Sequence, residues 1–315
     1  MQKIEDNKNT INFDDAIDLK ELFLVLVQGK WIITLMTVFF SIFGIIYSLS
    51  LPNIYESKAL LAPVDASSSL MSGALSEYRG LAGLAGISLS SQDNSSNSKK
   101  AVEVMGSLSF FENYIMPNIF LPDLMAVESW NEKENKIIYD ENIFKNDSNT
   151  WVRDSYPKKL IPSAQESFEV FKGNHFYMRE DNKTGYIVLS VKHLSPLLAK
   201  QWVETIVREV NTFYRQKDKA QSEKAVIFLN KQMAANSLSE IRQVTASLLQ
   251  KEIQKLTLVE ANNDYVFEYI YPPSLMEKKS DPKRSLIVIL FFLFGSILGT
   301  FLVLIRFYVS NQKTL

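Results

Sequence analysis

The sequence predicts an α+β membrane protein: two transmembrane helices joined by one folded region with an α/β base and a long helical stalk or hairpin. Two observations carry the membrane half of that reading. Uncharged apolar runs occupy 31–51 and 285–305, and each is about 21 residues, roughly 31 Å as a helix against a hydrocarbon core of about 30 Å. The third observation is the stretch between the runs, where short alternating segments give way after Ser195 to a sustained helical period. The predicted division is a tail (1–30), a first span (31–51), a domain (52–284), a second span (285–305) and a tail (306–315). Within the domain, 52–194 and 262–284 form the base and 195–261 the stalk.

Composition narrows the function classes. The formal net charge is −1, so no global field recruits nucleic acid. The chain has no cysteine, which removes disulfides and thiolate chemistry. The hydrophobic share of 46% averages two lipid-soluble runs with a polar middle. The first run follows an acidic tail (Asp14, Asp15, Asp18, Glu21) and is longer than a signal-peptide core, so it reads as an uncleaved anchor. The charges flanking the two runs vote in opposite directions, and the first span takes precedence. Both termini are therefore expected in the cytoplasm.

Asp18 to Val27 places Leu19, Leu22, Phe23, Leu26 and Val27 at helical spacing, an amphipathic lead into the first span. Within that span Thr37, Ser41, Gly44 and Ser48 share a face, and the second span carries Gly295 and Gly299. Such small-residue faces let helices approach closely in lipid. Their partner is either the other span or a neighbouring subunit. Past Pro52, Tyr55–Leu61 reads as a strand, followed by a Ser/Gly/Ala-rich loop over 62–98. Its spaced glycines (Gly80, Gly83, Gly86) lack the Lys-Ser/Thr of a phosphate-binding loop.

Helical period returns over 99–116 and ends at Pro117, and 118–159 reads as irregular cover. Ser163 and Glu166 form a capping box for a short helix. The segment 181–185 (Asp-Asn-Lys-Thr-Gly) signals a hairpin between strands at 175–179 and 186–191. If Glu180 pairs with Tyr186, His175 and His193 fall on one sheet face. They lack further ligands and read as structural, so no metal and no cofactor is expected.

Ser195-Pro196 starts a helix that runs for about forty residues, and Ser237 and Glu240 restart one after a break. The stretch 215–224 is polar nearly all round and is expected to project from any core. The pair is a hairpin or a kinked rod. Coiled-coil self-association fits the spacing, but the heptads are imperfect, so intramolecular pairing is the preferred reading. A final strand, 265–271, leads through Pro272 and Pro273 to a polar spacer that ends Asp281-Pro282-Lys283-Arg284. The prolines make a stiff extended linker. The basic group Lys278, Lys279, Lys283 and Arg284 either anchors at lipid headgroups or attracts a lipid-linked pyrophosphate or an acidic glycan.

Several of these residues together resemble one family. They are Asp18-Leu, Glu21-Leu and Gly29-Lys-Trp31 with Pro52, Tyr55 and Ala59; the Gly-Leu-Ala-Gly-Leu-Ala-Gly-Ile run (80–87); and Thr184-Gly185, Ser195-Pro196 and Trp202-Val203. Tyr265-Val-Phe267, Pro272 and Pro282-Lys-Arg284 complete the set. The chain resembles the polysaccharide co-polymerases, the Wzz-type chain-length determinants of O-antigen synthesis, over nearly its whole length. The resemblance implies a non-catalytic regulator of modal chain length in the cell inner membrane, two-pass, with its main domain periplasmic. It also implies a homo-oligomeric ring, an O-antigen polymerase as partner, and an undecaprenyl-pyrophosphate-linked glycan as the growing substrate. Adjacent Pro272-Pro273, and Leu275 to Lys279 where further prolines are usual, depart from the family's pattern. A tail of ten residues after the second span resembles the short O-antigen type. The alternative function is a membrane adaptor in capsule or exopolysaccharide export, working with a separate tyrosine kinase. A glycan ligase or hydrolase is a further alternative, but the sequence contains no serine elbow, cysteine or histidine cluster to build its site.

Overall fold

The computed structural model describes residues 19–64, 94–154, 158–181, 183–235 and 238–312, and the Gly80–Gly86 motif lies outside them. The chain divides into two units, one of residues 1–52 and 281–315, the other of 53–280. Among the described residues the first holds three helices: α1 (Leu19–Gln28), α2 (Lys30–Ser50) and the long apolar α8 (Arg284–Gln312). Both α2 and α8 are long and apolar enough to cross a membrane. The outward-facing Leu35, Phe39, Ile46, Ile289 and Ile297 are all exposed.

The second unit is built on a four-stranded antiparallel sheet, ordered β6-β7-β1-β8. Its strands are β1 (Tyr55–Pro63), β6 (Phe176–Glu180), β7 (Ile187–His193) and β8 (Phe267–Tyr271). Alternation sets the buried face. Tyr55, Ser57, Ala59 and Leu61 of β1 turn inward, as do Ile187, Leu189, Val191 and His193 of β7. Helix α6 (Pro196–Ala235) covers that face with Ala199, Trp202, Val203, Ile206, Val207 and Val210, a stripe at spacings of three and four. Ser195 starts it as read: its hydroxyl accepts from the Leu198 amide at 3.5 Å.

The helix expected over 99–116 begins earlier, as α3 (Asn94–Met105), and breaks at Gly106. Ser107 then caps a new turn by accepting from the Phe110 amide, and a widened turn over Phe111–Ile115 precedes Pro117. The break lets Phe110, Phe111 and Ile115 all reach the core. The cover expected to be irregular is more ordered than its composition suggested. It contains α4 (Leu121–Met125) and two small hairpins, β2 (Val127–Asn131) with β3 (Lys136–Tyr139), and β4 (Phe144–Lys145) with β5 (Thr150–Trp151). These strands are too short to show a period, and they are held instead by ring contacts among Phe120, Tyr139, Phe144 and Trp151. Ser163 caps α5 (Ala164–Val170) as expected, while the Glu166 carboxylate takes a bidentate pair from Arg153 at 2.6 and 2.8 Å instead of reaching back to the cap.

In the β6–β7 hairpin Glu180 pairs with Ile187, one residue from the expected Tyr186. The two histidines still meet, with ring centroids 5.5 Å apart and both against Trp202. His193 accepts at Nδ1 from the Ser195 amide, so its Nε2–H donates to the Asp123 carbonyl at 2.9 Å. His175 Nδ1 donates to the Lys192 carbonyl at 2.7 Å. Burial lowers both, and brings His193 down from 6.5 to about 4. A depressed histidine stabilises the fold fully above the unfolded value, and this contribution is lost as pH falls from 6.5 toward 4, up to about 3 kcal/mol. Burial raises Asp123, whose proton linkage has the opposite sign, so the informative measurement is a difference. A His193→Gln variant should be less stable at neutral pH and should lose much of the wild type's acid sensitivity between pH 6.5 and 4.5. Melting followed by Trp202 fluorescence reads this. A variant as acid-sensitive as the wild type would refute it.

The long helices form a hairpin, not a kinked rod. Helix α7 (Ser239–Ala261) runs back along α6, since Arg215 meets Asn263, Lys219 pairs with Glu260 and Lys255 lies 3.6 Å from Asp218. The polar stretch 215–224 stays out of the hydrophobic core, as expected, and packs against α7 instead. Asp218 and Ser222 are buried, and Asp218 accepts from the Tyr265 hydroxyl at 2.6 Å. The partner helix contributes Lys255 beside Asp218. Ser237 lies outside the described residues.

Candidate functional site

The residues singled out from the sequence fall into two groups, one in each unit. In the first unit the small residues of α2 and α8 lie at the contact between these two helices. Thr37, Gly44 and Ser48 are buried, and Ser41 is half-buried. A Cβ added at Gly44 would lie 2.7 Å from the Cβ of Phe291. One at Gly295 would lie 2.9 Å from the Phe40 Cβ and 3.0 Å from the Met36 carbonyl oxygen, and one at Gly299 would lie 2.8 Å from the Ile33 Cα. Real Cβ atoms do not approach so closely, so these glycines set the distance between the helices. The hydroxyls of Thr37, Ser41 and Ser48 donate to carbonyls of their own helix (Ile33, Thr37 and Ile45), so burying them leaves no unpaired donor in an apolar setting. Of the two partners the sequence left open for this face, the helix packed on it is the other apolar helix of the same chain.

Two parts of this packing escaped the sequence reading. Gly29, at the α1–α2 junction, is so close to Val303 that any side chain there would overlap it. Phe40 with Phe294, and Phe43 and Tyr47 with Phe291, surround the glycine contacts at centroid distances of 5.3 to 6.0 Å. Gly29 is isolated in sequence, and phenylalanines in an apolar run carry no directional signal.

In the second unit the chain leaving β8 is laid back along the start of β1. Pro272 is exposed and Pro273 buried. The Ser57 hydroxyl then donates to the Ser274 carbonyl at 3.0 Å. Further on, the Ser280 amide donates to the Ile54 carbonyl at 2.8 Å, the Ser280 hydroxyl to Glu56 at 3.1 Å, and the Lys279 ammonium to Asn53 at 3.2 Å. Glu56 also holds Lys58 at 3.1 Å. Residues 274–280 thus form a strap over the beginning of the first strand. No regular period marks it, which is why the sequence suggested only a polar spacer.

The basic group is divided between the units. Lys278 and Lys279 are exposed in the second. In the first, the Lys283 carbonyl accepts from the Leu286 amide and opens α8, and Arg284 donates to the Leu51 carbonyl at 3.5 Å. The Asp281–Pro282 peptide is cis. Among the described residues no group of three or more His, Asp or Glu side chains could hold a metal ion.

Residues 15–116 match the family model "Wzz: Chain length determinant protein". Among solved structures the chain is similar to one described as a full-length bacterial polysaccharide co-polymerase, at 13% identity and a TM-score of 0.41, covering 93% of this chain and 99% of that one. It is also similar to a fragment of WzzB, a polysaccharide co-polymerase from Salmonella Typhimurium, at 12% identity and a TM-score of 0.30, covering 73% of this chain and 100% of that one. No curated protein matches it.

Proposed function

We propose that this chain, a Wzz-type polysaccharide co-polymerase by the domain it carries over residues 15–116, sets the modal length of O-antigen without catalysing bond formation. The family regulates polysaccharide chain length in general terms, and the two apolar helices fit a two-pass inner-membrane protein. In our reading both termini are cytoplasmic and residues 52–284 are periplasmic. The protein acts as a homo-oligomeric ring that keeps an O-antigen polymerase close to its undecaprenyl-pyrophosphate-linked glycan. Proximity alone changes processivity by raising effective concentration.

The observation that carries this is the domain match, which begins before α1 and runs through the first apolar helix and β1 to the Phe111–Ile115 turn. Ring formation draws on the hairpin, which leaves Ile227, Phe228, Ile241, Val244 and Leu248 exposed, a patch suited to a second copy. The lysines at 278, 279 and 283 with Arg284 would meet lipid phosphate, and the Pro272-Pro273 and Pro282 linkers would fix how the domain leaves the bilayer.

Deleting the gene should abolish the modal cluster of bands on a lipopolysaccharide gel and leave a monotonic ladder, with total sugar incorporation maintained. An unchanged band distribution would overturn the reading. Loss of all polymer would argue for a step in synthesis itself.

A further inference from the structure

The second unit carries a half-open groove of about 380 Å³ lined by Tyr55, Trp130, Glu132, Asn135, Leu197 and Glu277, among others. We infer that it binds one neutral pyranose unit of a glycan, an inference that rests on the chain-length reading above and gives it a point of contact with the sugar.

The platform is fixed before any ligand arrives. Trp130 meets the buried Tyr55 ring in a T-shaped pair at a centroid distance of 5.3 Å, and its indole Nε1–H donates to Asn135 Oδ1 at 3.1 Å. Asn135 sits at φ 48° in the β2–β3 turn, whose other end is tied by Asn131 Oδ1 accepting from the Lys133 and Glu134 amides. The indole is therefore held from two sides while remaining half-exposed. A rigid aromatic face of this kind suits the C–H face of a pyranose at little entropic cost.

The polar groups around it match hydroxyls. Glu132 and Glu277 are exposed carboxylates that only accept, and the Asn135 Nδ2 donates. Together they offer acceptors and a donor around an apolar floor that includes Pro196, Leu197, Leu275 and Met276. A few polar groups converging on a largely apolar concavity of several hundred cubic ångströms is the usual form of a small-ligand site. The signs of the charges also choose among sugars. Two carboxylates repel a uronate or a phosphate and leave neutral hexoses and N-acetylhexosamines as the matching class.

The test uses the full chain in detergent with its four tryptophans labelled with nitrogen-15 at the indole. Methyl glucoside, N-acetylglucosamine and glucuronic acid are titrated in turn. The Trp130→Phe variant identifies the Trp130 signal by its disappearance. That signal should move saturably with at least one of the neutral sugars and stay in place with glucuronate. Glu132→Gln and Glu277→Gln, both exposed and outside the core, should each raise the dissociation constant by about tenfold, the loss expected of one hydrogen bond to a charged acceptor. No saturable shift with any of the three sugars, an equal response to glucuronate, or unchanged affinity in both Gln variants would overturn the assignment. In cells, the double Gln variant should broaden or move the modal band cluster that the wild-type gene restores to a deletion strain. If the deletion itself has no effect on length, the chain-length reading fails, while the titration still decides the groove.

Discussion

Replacing Asn211 with alanine should lower the stability of the folded unit by about 3 to 5 kcal/mol. Asn211 is 4% exposed on the face of α6 that meets the sheet. Its Nδ2 donates to the Phe267 carbonyl at 2.8 Å, and its Oδ1 accepts from the Val266 and Phe267 amides at 2.9 and 3.0 Å. One side chain thus satisfies three backbone groups where β8 begins, and the Val266 carbonyl in turn accepts from Val64 beyond the end of β1. Each buried group left unpaired costs about 1 to 3 kcal/mol. Asn211→Asp is the sharper comparison, because it keeps the acceptor, loses the Nδ2 donor and buries a charge. Both variants should melt well below the wild type, and hydrogen exchange at the Val266 and Phe267 amides should rise most. If Asn211→Ala melts within a degree of the wild type, the side chain does not hold β8 in place.

Enlarging Gly295 should force the two apolar helices apart. At that position a Cβ would already lie within 3.0 Å of Phe40, Met36 and Thr37, two of these contacts being with backbone atoms that cannot turn aside. Gly295→Leu adds a side chain where even a methyl group does not fit, and overpacking of this kind costs about 1 to 3 kcal/mol or displaces an element. Gly295→Ala should show a smaller loss in the same direction. Ile289→Leu is the control, since Ile289 is 57% exposed and faces away from the contact. Melting of the full chain in detergent should fall in the order control, alanine, leucine. The leucine variant should also shift the polysaccharide length profile in a complemented deletion strain. A leucine variant that melts like the control would refute the close approach.

The parts of this molecule that were legible in the sequence are those with a period or a cap. The two apolar runs, the forty-residue helix that starts after Ser195, and the caps at Ser163 and Ser195 all follow from local rules about burial and unpaired amides. The small residues of α2 and α8 were legible as faces, because spacings of three and four survive in a helix whatever it packs against. What could not be read depends on pairs distant in sequence. Asn211 reaches residues 55 and 56 positions away, and Ser57 reaches one 217 positions away. Nothing in either neighbourhood marks its partner. The Trp130 groove is hidden for the same reason, since Tyr55, Trp130, Leu197 and Glu277 come from four separate stretches. What covers the polar stretch 215–224 was hidden for another reason. Polarity on every side signals exposure only when no polar helix is available to cover it, and α7 is one.

The strap from Ser274 to Ser280 has an engineering consequence. The chain enters the second unit at Asn53 and leaves it at Ser280, and hydrogen bonds join these places through Asn53 to Lys279 and Ile54 to Ser280. A unit whose two ends already touch tolerates being cut from its anchors and closed on itself. A few glycines between 280 and 53 would make a backbone circle, with new termini opened in an exposed turn away from the groove such as 146–149, and the product would be a lipid-free reagent on which sugar titrations need no detergent.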